Sequence, residues 1–253
     1  MRNRLSQFLL IIALLIFWQA AGLLGWWPPD RYARPVDVAA ALERLGGSGE
    51  LLAALLVTLR RMLAGYISAT LLGALLGLAM ARLPRVSAVV SPLVTGLQAL
   101  PAICWYPLAH LWLELDEGAI LLVIAIGTLS SVASAAEGAI RTIPQAFVRA
   151  AATMGARGWR LYVRVILPAA LPTLLTGMRA GWTSAWRLLM AAEMLGASPG
   201  LGRLLGSGQE SGDAALVVAL MLIVLAVGLS VDRLVFARAE RAVRLRWGYE
   251  QDA

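Results

Sequence analysis

"RAAATMGARGWRLYVRVILPAALP", residues 149–172, holds four arginines and no acidic residue, and it closes on two prolines set among alanine and leucine. Ala150, Ala151 and Ala152 are strong helix formers, and Ala151, Met154 and Gly155 repeat at i, i+3, i+4 spacing on one face. Gly155 and Gly158 break that helix. The chain then turns through Trp159-Arg160-Leu161-Tyr162 and runs back into apolar sequence after Pro168, whose missing N–H is tolerated at a helix start. The spacing predicts a short basic helix laid across a membrane face and joined stiffly to the span that follows.

The rest of the chain supports a membrane setting. Of the 253 residues, 60% are hydrophobic, and the mean hydropathy is +0.75, outside the usual soluble range. Apolar runs near 8–26, 57–80, 86–107, 118–138, 170–192 and 214–236 predict an all-α polytopic protein of about six spans. The first run follows Arg2 and Arg4 and has the makings of a signal peptide, but its length and the spans behind it predict a retained helix. Trp27-Pro28-Pro29-Asp30 marks a loop, residues 36–45 an amphipathic surface helix, and Gly46-Gly47-Ser48-Gly49 its end. The third run is interrupted by Pro92, Pro101 and Pro107. A broken helix survives in a bilayer only where packing or a water-lined path satisfies its freed backbone groups. No internal repeat is evident, which removes support from an inverted-repeat transporter.

Some chemistry is excluded outright. All 22 basic side chains are arginine, so the chain has neither a phosphate-binding loop lysine nor a Schiff-base lysine. Any ATP must be bound and hydrolysed by another chain, and this one needs no cofactor of its own. Cys104 and His110 are the single cysteine and histidine, too few for a disulfide framework or a zinc site. Gly196-Ala197-Ser198-Pro199-Gly200 fits a nucleophile elbow in letters only, because it has no preceding strand and Pro199 holds Ser198 toward extended geometry. The chain is not read as an enzyme.

A pI near 10.6 suggests nucleic acid until the arginines are sorted by side. Residues 1–7, 81–85, 139–167 and 237–253 hold 13 arginines and 3 acids, whereas 27–56, 108–117 and 193–213 hold 4 arginines and 10 acids. That asymmetry is the positive-inside signal, and it places both termini and the 139–167 loop in the cytoplasm. The partners are then a bilayer and proteins, not nucleic acid. Gly73 and Gly77 form a GxxxG that reads as intrachain helix packing.

Ionisable groups at mid-membrane cost roughly 2.5–3.5 kcal/mol each on insertion scales. Arg179 and Arg187 both fall in the fifth span, about 12 Å apart along a helix and nearly on one face, with Glu193 at the outer end. Their planar forks suit sulfonate or carboxylate oxygens. Alternatively, Arg179 pairs with a carboxylate near the cytoplasmic side, and Arg187 reaches Glu193 or a carbonyl. Glu137, Arg60 and Arg61 are expected to snorkel or pair. Pro101, Trp105 and Tyr106 complete a candidate pathway set, with interfacial anchoring as the competing reading of the aromatics.

The 149–172 stretch resembles a loop of the permeases of binding-protein-dependent ABC importers: EAA, three residues, G, nine residues, I, one residue, LP. Here it reads Arg149-Ala150-Ala151, Gly155, Val165, Leu167-Pro168. Leu100-Pro101, Trp105-Tyr106-Pro107-Leu108, Leu111-Trp112, Gly177-Met178-Arg179, Ala191-Ala192-Glu193-Met194, Gly200-Leu201-Gly202 and Arg246-Trp247-Gly248 look like the nitrate, taurine and alkanesulfonate branch. The similarity covers about residues 50–248.

The resemblance implies a type I ABC importer permease of the inner membrane, one domain over 1–253, with residues 1–50 an extra helix and external segment. It implies a pathway for a small solute, as an anion a sulfonate, taurine, nitrate or bicarbonate. It also implies a second permease copy as a homodimer, two ATPase subunits and an extracytoplasmic solute-binding protein. Arg149, Ala150, Ala151, Met154, Gly155, Ala156, Trp159 and Pro168 would form the ATPase-coupling segment. The departure is Arg149, which stands where the family has glutamate. Two alternatives stand beside this: a gradient-driven transporter or channel, and the same permease role for a neutral or cationic solute such as a thiamine precursor.

Overall fold

The structure, a computed structural model, describes residues 2–24, 28 and 32–246. The ends of two sequence signals, Trp27-Pro29-Asp30 and Trp247-Gly248, lie outside the described residues, as does Trp26 at the close of the first apolar run. Every regular element among the described residues is helical. In chain order they are α1 (Arg2–Leu23), α2 (Pro35–Ser48), α3 (Glu50–Arg82), α4 (Pro84–Ala99), a 3-10 turn (Ala102–Trp105) and α5 (Tyr106–Leu113). There follow α6 (Asp116–Arg141), α7 (Gln145–Thr153), α8 (Gly158–Leu161), a π-helical turn (Tyr162–Ile166) and α9 (Leu167–Leu195). The chain closes with α10 (Leu201–Glu210), α11 (Ala214–Val231), a second π-helical turn (Asp232–Phe236) and α12 (Ala237–Arg246).

Among the described residues, four continuous helical stretches are long and apolar enough to cross a bilayer: Glu50–Arg82, Asp116–Arg141, Gly158–Leu195 and Ala214–Leu245. The third predicted run is a bent pair, Pro84–Ala99 and Ala102–Leu113, with 94° between its arms. Of its three prolines, Pro101 makes the break. Pro92 stays inside α4, and Pro107 sits in the first turn of α5, where its N–H is not missed. The first predicted run is α1, whose apolar part, Ile12–Leu23, is shorter than the other spans.

The contacts divide into two compact units. One comprises Met1–Thr58 with Glu193–Val227. Within it Val38, Ala41 and Leu45 recur at helical spacing on α2 and are buried against Ala219 and Leu220 of α11. The amphipathic segment read at 36–45 thus covers its apolar stripe with protein. α2 runs through Gly46 and Gly47 and stops only at Gly49, which takes φ 72°. Its start is held by Asp37, which accepts from the Arg34 backbone N–H at 3.2 Å and from the Arg34 side chain at 2.8 and 3.0 Å.

The other unit comprises Leu59–Ala192 with Gly228–Ala253. Its centre is α6, where Ile120, Val123, Ile124, Val132 and Ala133 are fully buried. At Gly73 on α3 a Cβ would stand 2.8 Å from the Leu129 carbonyl, and one at Gly77 would strike Ala133 and Ala136. The GxxxG therefore brings α3 onto α6 within the chain. Tyr66, Trp182 and Phe236 form an aromatic knot, with Tyr66 edge-on to Trp182 at 5.1 Å and its hydroxyl donating to the Met178 carbonyl at 2.8 Å.

Candidate functional site

The sequence-predicted residues fall in several separate places. The first is the elbow around α7. This helix begins at Gln145, four residues before Arg149, and its carboxyl end is a Schellman cap. The Ala156 N–H donates to Ala151 O at 2.9 Å and the Gly155 N–H to Ala152 O at 3.1 Å, with Gly155 at φ 85°. Gly158, at φ 53°, makes the next turn. Ala151 and Ala156, which meet across the cap, are half-buried, while Arg149, Ala150, Met154, Gly155 and Trp159 are exposed. Phe147, which sequence reasoning did not single out, joins them: Phe147 is 61% exposed, Met154 88% and Trp159 73%. Phe147, Ala150, Ala151 and Met154 follow i, i+3, i+4, i+7 spacing, so the signal was present one turn upstream of the motif.

The helix after the elbow does not begin at Pro168, as expected, but at Gly158, and it continues to Leu195. Pro168 lies inside it, just past the π-helical turn, where the Leu167 N–H donates to Tyr162 O five residues back. An α-helical turn would press the proline ring on the carbonyl four residues earlier, and widening the turn relieves that clash. Arg82 at the end of α3 lies over the Tyr162 ring, 3.4 Å from guanidinium carbon to centroid. The elbow is thus tied to a second span at its base.

The second place is an open cleft of about 430 Å³ in the unit built on α6. It is lined by Arg187 and Ser184 of α9, Ser130 and Ser131 of α6, Gln98 of α4 and Pro101, with Leu97, Leu100, Ile103 and Leu188 as apolar wall. Arg187 and Ser184 have no hydrogen-bond or ion-pair partner among the described residues. The Gln98 amide donates to Ser130 O at 2.9 Å and Ser134 Oγ at 3.1 Å. The structure therefore brings Arg187 and Pro101 together. The polar residues Gln98, Ser130, Ser131 and Ser184 escaped the sequence, because serine and glutamine inside an apolar run carry no periodic signal.

The remaining pathway candidates lie elsewhere. Arg179 binds Asp232 through two bonds of 2.6 Å and Glu240 through one of 2.8 Å, so its fork is filled by the chain's own carboxylates. Its pairing reading is the one the geometry matches. Glu193 has no exposed surface. Its carboxylate accepts from Thr58 Oγ1 at 2.9 and 3.0 Å and from the Gly202 N–H at 3.0 Å, while the Leu201 N–H donates to Thr58 Oγ1 at 2.9 Å. Glu193 therefore caps the start of α10, where the helix dipole favours a negative charge. Gly200 makes room for it, since a Cβ there would strike the carboxylate. Tyr106 is buried and donates to Asp116 at 3.2 Å, and Trp105 is half-buried with its indole N–H enclosed. Glu137 pairs with Arg141 at 2.8 Å, and Arg60 and Arg61 share Glu117 at 2.7 Å each.

The model of the family described as binding-protein-dependent transport system inner membrane component matches residues 69–244. The chain is 30% identical over 230 residues to the taurine transport system permease protein TauC of Escherichia coli, covering 87% of this chain and 84% of that one. It is 30% identical over 248 residues to SsuC, a permease protein of Escherichia coli named for aliphatic sulfonates transport, covering 96% and 92%. In fold it is similar to a chain of the methionine ABC transporter MetNI in an inward-facing conformation, with a TM-score of 0.62 at 20% identity, covering 78% of this chain and 99% of that one.

Proposed function

The chain belongs to the family of binding-protein-dependent transport system inner membrane components, and from that premise we propose that it forms half of a translocation pathway driven through the α7 elbow. The observation that carries this reading is the pairing of an exposed apolar and basic surface on α7 with a rigid junction into α9. Phe147 and Met154 stand outside any bilayer-length helix and Trp159 in the first turn of one, flanked by Arg149, Arg157 and Arg160. A patch of that composition is a protein-docking surface.

A second permease copy completes the pathway, and two ATPase subunits receive α7 and Arg149, Ala150, Ala151, Met154, Gly155, Ala156 and Trp159 around it. Closure of those subunits on ATP moves α7. The Schellman cap, the Arg82–Tyr162 stack and the continuous helix through Pro168 pass the movement to α9. Both termini and the elbow face the cytoplasm, in keeping with the arginine asymmetry. The solute arrives from a binding protein on the other side. Similarity to TauC and SsuC, whose names carry taurine and aliphatic sulfonates, supports an anionic solute.

Arg149 tests the docking side. A positive charge there calls for an acidic residue on the ATPase, so Arg149→Glu sets like charges face to face. Transport-linked ATP hydrolysis of the assembled transporter should fall about tenfold, equivalent to about 1.4 kcal/mol. Unchanged hydrolysis would contradict this placement of the ATPase.

A further inference from the structure

The cleft at Arg187 has features that the coupling scheme leaves unused. Its lining residues include an arginine, three serines and a glutamine but no aspartate or glutamate. Arg187 offers a five-donor fork with no partner among the described residues, in a helix of bilayer-spanning length. A cation kept in such a place without a counter-charge marks a site for one. Ser184 precedes Arg187 by three residues, so the two side chains stand on one face of α9, and its hydroxyl is likewise unpartnered. Across the cleft, Ser131 donates its proton to Gly127 O at 2.9 Å. Gln98 spends its amide protons on α6. The unspent donors are thus concentrated at Arg187 and Ser184, facing a wall of Leu97, Leu100, Ile103 and Leu188.

We infer that this cleft is a solute station for an organic anion with one oxyanion head and a short apolar body. The inference rests on the transport reading above and adds a site to it. The head sits in the fork of Arg187 with the Ser184 hydroxyl as a second donor, which fits the planar geometry of a sulfonate or carboxylate edge. The body lies along the four apolar residues. A volume of about 430 Å³ falls in the roughly 300–1,000 Å³ range of sites for small organic molecules. A neutral or cationic solute would leave Arg187 without a counter-charge.

The test uses the full-length chain in membranes, with Cys104→Ala removing the only native thiol and Ser131→Cys placing one in the cleft wall. Ala102→Cys, at another lining position, serves as a second reporter should the first fail to assemble. The thiol is labelled with a sulfonatoethyl and a trimethylammonioethyl methanethiosulfonate, each rate normalised to that of a free thiol. With Arg187 present, the anionic reagent should be favoured by about tenfold, and millimolar butane-1-sulfonate should slow labelling several-fold where butan-1-ol does not. Arg187→Gln should abolish both effects, and Arg187→Lys should keep the charge preference while weakening protection. Equal normalised rates, or no protection by butane-1-sulfonate with Arg187 in place, would overturn the inference. Retention of a co-purifying ATPase is followed in the same membranes. Its loss in the unsubstituted chain counts against the coupling scheme, whereas its presence with an indifferent cleft counts against the station alone.

Discussion

Glu193 and Arg187 lie six residues apart on α9 and meet opposite fates. Glu193 is enclosed, and its two oxygens are spent on Thr58 and the Gly202 N–H. Arg187 opens on a cleft. Sequence alone could not separate them, because an ionisable residue in an apolar run signals expense without naming its use. The partner that decides Glu193 is Thr58, 135 residues away. Glu193→Ala leaves a buried backbone N–H and a buried hydroxyl short of acceptors, which costs about 1–3 kcal/mol for each group. Thermal unfolding of the purified chain should drop by several degrees, and hydrogen exchange should quicken in the first turn of α10. Glu193→Gln keeps an acceptor and should lose less. Equal loss in the two variants would remove the cap from the account.

At the scale of elements, the spans were legible as apolar runs and the elbow as a motif with fixed spacing. Helix ends were less so. α3 begins at Glu50 and the α8–α9 helix at Gly158, each earlier than its apolar run. The π-helical turn before Pro168 was invisible, since i→i+5 bonding answers a local clash and leaves no compositional trace. The role of Gly155 does follow from its residue type. At φ 85° a β-branched side chain costs about 1–2 kcal/mol, so Gly155→Val should loosen the Schellman cap. Faster amide exchange at Gly155 and Ala156, with weaker ATPase coupling, is the expected result. Unchanged exchange would show that the cap is not held by that glycine.

α2 supplies a pH test at the same scale. The hydrogen bond from Arg34 holds the half-buried Asp37 carboxyl below the usual carboxylate range. A carboxyl with a depressed folded-state pKa stabilises the helix start above its unfolded pKa and loses that contribution as pH falls through the folded one. Amide exchange over the first turn of α2 should therefore be slower in the unsubstituted chain than in Asp37→Asn near neutrality. The two should converge only in acid below the ordinary carboxylate range. A difference that vanishes at higher pH, or persists throughout, would contradict the assignment.

For the whole molecule, membership of the inner-membrane component family agrees with the resemblance carried by the 149–172 loop, and the helical fold is similar to that of a MetNI chain. The chain has no lysine, and on the proposed reading nucleotide chemistry belongs to a partner that docks on the exposed side of α7. The most direct measurement is cross-linking from that surface. On a Cys104→Ala background, Met154→Cys carries a thiol-reactive photocross-linker, and the chain is irradiated in inner membranes with and without ATP. The account predicts a covalent adduct with a separate ATP-hydrolysing subunit, in a yield that changes with nucleotide. A Met154→Cys thiol that water-soluble reagents label freely under all conditions, with no adduct formed, would contradict it.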